Sequence, residues 1–258
     1  MPDLKYDVLG IGNAIVDVIA RAEDDFLVKQ GMHKGGMALI DEPRAQSIYA
    51  AMGKAVEKSG GSAANTIVGV AGFGARAAFV GKVKDDKLGQ AFASDIRKAA
   101  TIAHGAGRQV ALTLSDAFCV SRYRAEFVDL IKTGTVDLVF ANESELKSLY
   151  ETADFDTAVK ALRGDAKLAA VTRSEKGCVV VSKESMIEVP AAPIDTLVDA
   201  TGAGDLFAAG FLFGLARGRD HKTAAQLGAL AAAEVIQHIG ARPEVSRKGR
   251  AAKAGLRV

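Results

Sequence analysis

Short, nearly unbroken apolar runs recur along this 258-residue chain and alternate with longer alanine-rich stretches. The runs at 7–10, 78–81, 110–114, 138–140, 169–172 and 179–181 read as strands. Most lack polar alternation, the pattern of strands covered on both faces in a parallel sheet. The stretches 63–72, 88–104, 144–150, 203–216 and 223–238 read as helices. This alternation predicts an α/β fold, a doubly wound, mostly parallel sheet with helices on both faces. In such sheets ligands sit beyond the carboxyl ends of the strands. The more mixed stretch 21–58, with Gly35-Gly36-Met37-Ala38-Leu39-Ile40, is expected to form part of a small β lid on a single domain spanning 1–258.

Composition narrows the partners. A chain of this size buries one substantial core. Charged residues make up 25% and the net charge is only +2. With no basic block besides the stretch Arg242 to Arg250, which reads as a solvated tail, nucleic acid is not the expected partner. Cys119 and Cys178 are too few for a disulfide framework or a metal cluster and fit a reducing cytoplasm. The N-terminus lacks an apolar signal core, and no run approaches the roughly 20 apolar residues of a membrane span. A cytoplasmic protein is expected.

The most distinctive chemistry lies in Asp199-Ala200-Thr201-Gly202-Ala203-Gly204-Asp205, which runs straight into an apolar helix. A glycine turn opening a helix aims backbone N–H groups, and the positive end of the helix dipole, at one point. Such a turn binds anions. A carboxylate beside it is electrostatically awkward unless it meets a hydroxyl whose oxygen attacks a bound phosphate. The alternative is an ordinary loop whose Asp caps the helix. Two other nucleotide signatures fail. In Gly10-Ile11-Gly12-Asn13-Ala14-Ile15, Ile15 stands where a dinucleotide fingerprint needs its third glycine, and Gly81-Lys82 is followed by Val83 with Arg76 five residues before Gly81.

Four further segments carry polar residues at strand ends. Asn13 and Asp17 are four apart and suit vicinal hydroxyls of a sugar, or a capped turn. Ser59-Gly60-Gly61-Ser62-Ala63-Ala64-Asn65-Thr66 lets backbone approach a ligand closely, with Ser62 also a plausible helix cap. Asn142 and Glu145 suit hydrated Mg²⁺ or phosphate, and equally a capping box. Thr172, Arg173 and Gly177 lie in a polar connection that either meets phosphates or is an exposed hairpin.

Together these segments resemble the ribokinase-like (PfkB-type) family of carbohydrate and nucleoside kinases. Gly60 to Gly89 resembles its first signature and Asp199 to Gly214 its second, and the resemblance covers nearly the whole chain. Gly10-Ile11-Gly12-Asn13, Thr113-Leu114-Ser115-Asp116-Ala117-Phe118 and Phe140 to Glu145 lean toward the adenosine-kinase branch. The resemblance implies ATP-dependent transfer of the γ-phosphate to a primary hydroxyl of a sugar or nucleoside, with Asp205 as base. Gly202, Ala203 and Gly204 would form the anion hole, and Asn13, Asp17, Gly61 and Asn65 would hold the acceptor. Thr172, Arg173 and Gly177 would lie along the nucleotide. Asn142 and Glu145 would organise Mg²⁺ through water, and Asp199 matches a monovalent-cation loop of potassium-activated members. A homodimer is compatible with the family. The rivals are a sugar kinase of fructokinase or ribokinase type and an inactive sugar- or nucleotide-binding regulator.

One departure stands out. Relatives carry further lid strands and a central αβ portion where Asp95-Ile96-Arg97 here runs directly into Lys98-Ala99-Ala100. Loss of parallel strands would expose apolar surface and unpair sheet edges. The expectation is therefore that Arg97 and Lys98 lie farther apart than the roughly 3.8 Å between Cα atoms across a peptide bond. A continuous link there would overturn it.

Overall fold

A computed structural model describes residues 5–13, 15–34, 38, 40–82, 97, 99–242, 251 and 255. In chain order the elements are β1 (Val8–Asn13), β2 (Ile15–Ile19), α1 (Asp24–Lys29), α2 (Glu42–Ala51), β3 (Val56–Gly60), α3 (Ser62–Gly72) and β4 (Ala77–Lys82). A helix over 99–105, α4, precedes β5 (Ala111–Thr113), α5 (Ala117–Arg122), α6 (Arg124–Lys132), β6 (Leu138–Asn142), α7 (Glu143–Leu149) and α8 (Phe155–Asp165). The chain continues through β7 (Leu168–Thr172), β8 (Cys178–Ser182), β9 (Met186–Val189), α9 (Ala203–Ala216) and α10 (His221–Val235). No helix of the described residues is long and apolar enough to cross a membrane.

The largest sheet has the order β5-β6-β7-β8-β9. Its first three strands are parallel, whereas β7, β8 and β9 pair antiparallel. Apolar runs report that a strand is buried on both faces and not which way it points. The connection from Thr172 to Cys178 is too short for a parallel crossover, so β8 must return antiparallel.

Strand alternation sorts these apolar runs into two cores. Val139, Ala141, Ala169, Val171, Val179 and Val181 face one side, where they pack with residues of α5, α6, α7 and α8. Leu138, Phe140, Ala170, Cys178 and Val180 face the other and meet Phe207, Ala208 and Phe211 of α9 with Ala224 and Ala225 of α10. The expected helices on both faces are thus present on this sheet.

Two smaller sheets complete the fold. β1 pairs parallel with β4, and β2 pairs antiparallel with β3. The inner face of β1 lies on α3, while Leu9, Ile11 and Val80 on the outer side are 55%, 61% and 56% exposed. Among the described residues, then, this pair is covered on one face only. The expected lid stretch 21–58 holds α1, α2 and the first residues of β3. Its Gly35–Met37 and Leu39 lie outside the described residues, as do Lys98 of the expected break, Gly89, the first part of the expected helix 88–104 and most of the basic stretch 242–250.

Helix α9 joins these parts. It is apolar on every side: Phe207, Ala208 and Phe211 enter the core under the large sheet, while Leu206, Ala209 and Phe213 pack with Val70, Phe73, Leu227 and Val235. Phe211 is fully buried, edge-on to Phe140 at 5.6 Å between ring centroids. Phe211→Ala is expected to destabilise the protein by about 3–5 kcal/mol in denaturant unfolding, because truncating such a ring leaves a cavity that rigid neighbours do not fill. A loss below about 1 kcal/mol would mean that α9 is not the packed centre of the molecule.

Candidate active site

The Asp199–Asp205 turn is held on three sides. Gly202 takes a left-handed conformation at the N-cap of α9, with φ 79°, and a Cβ there would collide with Ala241. Asp199 accepts from the Thr201 N–H at 2.9 Å, the Thr201 hydroxyl at 2.6 Å and the Gly240 N–H at 2.8 Å. The chain around Asp199 is tied further by Val198 and Asp199 N–H groups donating to the Ile236 carbonyl. The segment after α10 therefore braces the turn from behind. Gly202 brings no capping side chain, so the first N–H groups of α9 are left to an outside acceptor.

Asp205 sits in the first turn of α9 and is gripped by α3. Its carboxylate accepts from the Ser62 hydroxyl at 2.6 Å and from the Asn65 amide at 2.9 Å, and its carbonyl accepts from the Thr66 hydroxyl at 3.1 Å. This arrangement does not fit a mere helix cap, because the carboxylate reaches across to another helix. Asn65 is 3% exposed, and its Oδ1 is buried with no hydrogen-bond partner, an acceptor aimed at nothing in the protein. Gly61, with φ 95°, caps α3 and lies against the Asn13 carbonyl.

Asp17 of β2 enters the same region. Its carboxylate lies where a Cβ on Gly60 would stand, so only glycine admits it. Burial raises the Asp17 pKa, and the negative charges of Asp205 and Asp199 add to the rise, while Arg242 opposes it. Arg242, from the segment after α10, donates to the Ala64 carbonyl on α3 at 3.2 Å. The structure thus brings Asn13, Asp17, Gly61, Asn65, Gly202 and Asp205 together, and adds Ser62, Thr66 and Arg242, which sequence reasoning missed. Ser62 and Thr66 were legible in principle, since Ser62, Asn65 and Thr66 fall on one helical face. Arg242 gave no local signal.

The remaining expected residues gather at the carboxyl ends of β6 and β7, where Asn142 pairs in register with Thr172. Asn142 and Glu145 form a complete capping box: Oδ1 of Asn142 accepts from the Glu145 N–H at 2.8 Å, and Glu145 accepts from the Asn142 N–H at 2.9 Å and its amide at 2.6 Å. Burial raises the Glu145 pKa despite the Asn142 N–H, and the charge of Asp116 adds to the rise. Arg173 donates to Glu143 at 3.0 Å and stacks over the Phe155 ring at 3.7 Å. Hydrogen bonds from Lys147 and Arg173 in turn lower the Glu143 pKa. Thr172, Arg173 and Gly177 are therefore built into the β7–β8 hairpin turn, the bland alternative of the two their sequence allowed. No cluster of three or more His, Cys, Asp or Glu side chains suited to a metal occurs among the described residues.

Residues 96–247 match the pfkB family of carbohydrate kinases, and the chain belongs to that family. A cytidine kinase of Thermococcus kodakarensis is 40% identical over 126 residues, which are 46% of this chain and 45% of that protein. The chain thus spans about half the length of the curated relatives it matches. Two solved structures align end to end. An adenosine kinase from Sinorhizobium meliloti is 44% identical with a TM-score of 0.90, covering 97% of this chain and 100% of that one. A "probable sugar kinase protein" from Rhizobium etli is 39% identical with a TM-score of 0.91, covering 98% and 99%.

Burial raises the Asp199 pKa, but its bonds from Thr201 and Gly240 outweigh this, and the folded value lies below the model 3.8. A depressed carboxylate contributes stability that is present above the unfolded pKa and lost as pH falls through the folded one. Asp199→Asn, which cannot accept from both Thr201 and Gly240, should cost about 1–2 kcal/mol at neutral pH. In urea titrations the gap between variant and wild type should close below pH 3.8. A gap that persists in acid would show that the loop bonds do not depend on the charge.

Proposed function

We propose that this protein is an ATP-dependent kinase that transfers the γ-phosphate to the primary hydroxyl of a nucleoside, adenosine-like in preference. The observation that carries the reading is the Asp205 carboxylate, fixed by Ser62 and Asn65 beside the uncapped amides of the glycine turn. Such a pair supplies a base for a hydroxyl and a dipole for the phosphoryl group that the hydroxyl attacks. Similarity over its full length to an adenosine kinase supports the preference for a purine nucleoside.

In this reading Asp205 accepts the proton of the acceptor hydroxyl as its oxygen bonds to the γ-phosphorus. The bond from that phosphorus to the bridging oxygen breaks, and ADP leaves with the electron pair. The N–H groups of Gly202, Ala203 and Gly204 stabilise charge on the phosphoryl oxygens in flight. Asp17 and Asn13 hold the sugar hydroxyls, and the orphaned Oδ1 of Asn65 accepts from one of them. Thr172, Arg173 and Gly177 border the nucleotide, with Arg173 already engaged by Glu143.

A divalent cation would neutralise the triphosphate and shield the incoming oxygen. The residues present suit it in one way only. Asn142 is consumed by its capping box, and what Glu145 retains is lone pairs directed outward, which suit a hydrated ion held through water. Asp199, already accepting three bonds, is the candidate for a monovalent cation at the loop.

Two measurements test the reading. Asp205→Asn should bind nucleotide with near wild-type affinity and lose at least about 10²-fold in kcat. Unchanged turnover would remove Asp205 from the chemistry. Across adenosine, cytidine, ribose and fructose, adenosine should give the highest kcat/KM, and a preference of about tenfold or more for the hexose would favour the sugar-kinase reading, since each factor of ten is about 1.4 kcal/mol of transition-state discrimination.

A further inference from the structure

Two carboxylates and an anion-binding turn share one small region, and like charges so placed disfavour each other's ionised form. Asp17 feels the charge of Asp205 and, more weakly, of Asp199. The cation whose field reaches both Asp17 and Asp205 comes from neither signature segment. It is Arg242, which follows α10 and crosses to α3 to donate to the Ala64 carbonyl at 3.2 Å. Ala64 lies between Ser62 and Asn65, the two residues that hold the Asp205 carboxylate. Just before it, Ala241 packs on Gly202 and the Gly240 N–H holds Asp199. One short stretch therefore touches the glycine turn, the cation-loop Asp and the helix that grips the base.

We infer that Arg242 is a positioning residue of the acceptor site, its guanidinium balancing Asp17 and Asp205 so that both carry charge at neutral pH beside the anion turn. The inference rests on the kinase reading for its consequence in turnover, and on geometry alone for its effect on the carboxylates. Half-burial lowers the pKa of Arg242 itself, and both carboxylates push it back up. Arginine suits the position because it stays protonated under that burial, where lysine shifts readily. The groups acting on Asp17 from the surrounding described elements are Asp205 on α9, Asp199 in the turn before it and Arg242 after α10.

The test uses the full chain labelled with ¹³C at aspartate carboxyls, the Asp17 and Asp205 signals being assigned from Asp17→Asn and Asp205→Asn. In Arg242→Gln the titration of this pair should move up by at least about one pH unit, the scale on which an adjacent opposite charge acts. Arg242→Lys should stay within about half that shift, since it keeps the charge. Unchanged titration in Arg242→Gln, or equal shifts in both variants, would overturn the assignment. Should Arg242→Gln not fold, Arg242→Lys decides alone: a midpoint near wild type supports the role and a full upward shift refutes it. The acid limb of kcat/KM for adenosine should move up with the titration in Arg242→Gln. A wild-type protein that phosphorylates none of the acceptors would sink the kinase reading, while the carboxylate titration still judges Arg242.

Discussion

The burial of α9 on all sides is the constraint from which the site follows. A helix with aromatic and aliphatic residues around its whole circumference has no solvent face on which to slide or rotate. One side is keyed by Phe207 and Phe211 against Phe140 of the large sheet, and the other by Leu206, Ala209 and Phe213 against α3 and α10. Its N-terminus is consequently fixed relative to both the sheet and α3. That fixity allows the first-turn carboxylate of Asp205 to meet Ser62 and Asn65 at hydrogen-bonding distance across a tertiary contact. A site built on rigid elements holds the sub-ångström tolerances that phosphoryl transfer demands.

The electrostatics follow from the same geometry. Placing an acid at the positive end of a helix favours its ionised form, while placing a second acid nearby opposes it. Asp17 is pinned close by the absence of a side chain at Gly60, so the conflict is built in rather than avoided. Donors from α3 answer it at Asp205, and the guanidinium of Arg242 answers it at both carboxylates. The stretch 236–242 thereby has a function beyond ending a helix: it carries Gly240, Ala241 and Arg242 to three different parts of one site.

What could be read from the sequence was whatever depends on neighbours in the chain. The limits of α9 were legible to the residue because its apolar run is continuous and a glycine turn opens it. The cores of β1, β4, β6, β7 and β8 were legible for the same reason, and so was the chemistry of the turn at Gly202. Strand direction was not: a run such as Cys178–Ser182 reports burial on both faces, and only the short connection before it dictates an antiparallel return. Helix α8 was overlooked although Asp154 caps it through the Thr157 N–H, because its polar face dilutes the apolar pattern. The reach of Arg242 to Ala64 is a product of tertiary packing, and a basic stretch read alone looks like solvated tail.

The two groups of expected site residues differ in how their polar atoms are used, and this bears on which of them can change partners. Around Asn142, Glu143, Glu145 and Arg173 the donors and acceptors satisfy one another in a closed set of caps and ion pairs. Such a set is structurally complete without a ligand, so any ligand there must bind at its outer edge or displace an existing bond, at a cost on the scale of the bond itself. Around Asp205 the set is open. Asn65 presents a buried acceptor that no protein group meets, and the first turn of α9 presents donors with no side-chain cap. A buried acceptor left unmatched costs about 1–3 kcal/mol, a burden that a packed core sheds unless something else supplies the donor. A hydroxyl offers that donor to Asn65 and its own oxygen to the phosphoryl group. The open half of the site is therefore where an alcohol recovers most of the unsatisfied hydrogen bonding, which is why the acceptor, and not the nucleotide, is the ligand to which this part of the fold is most closely shaped.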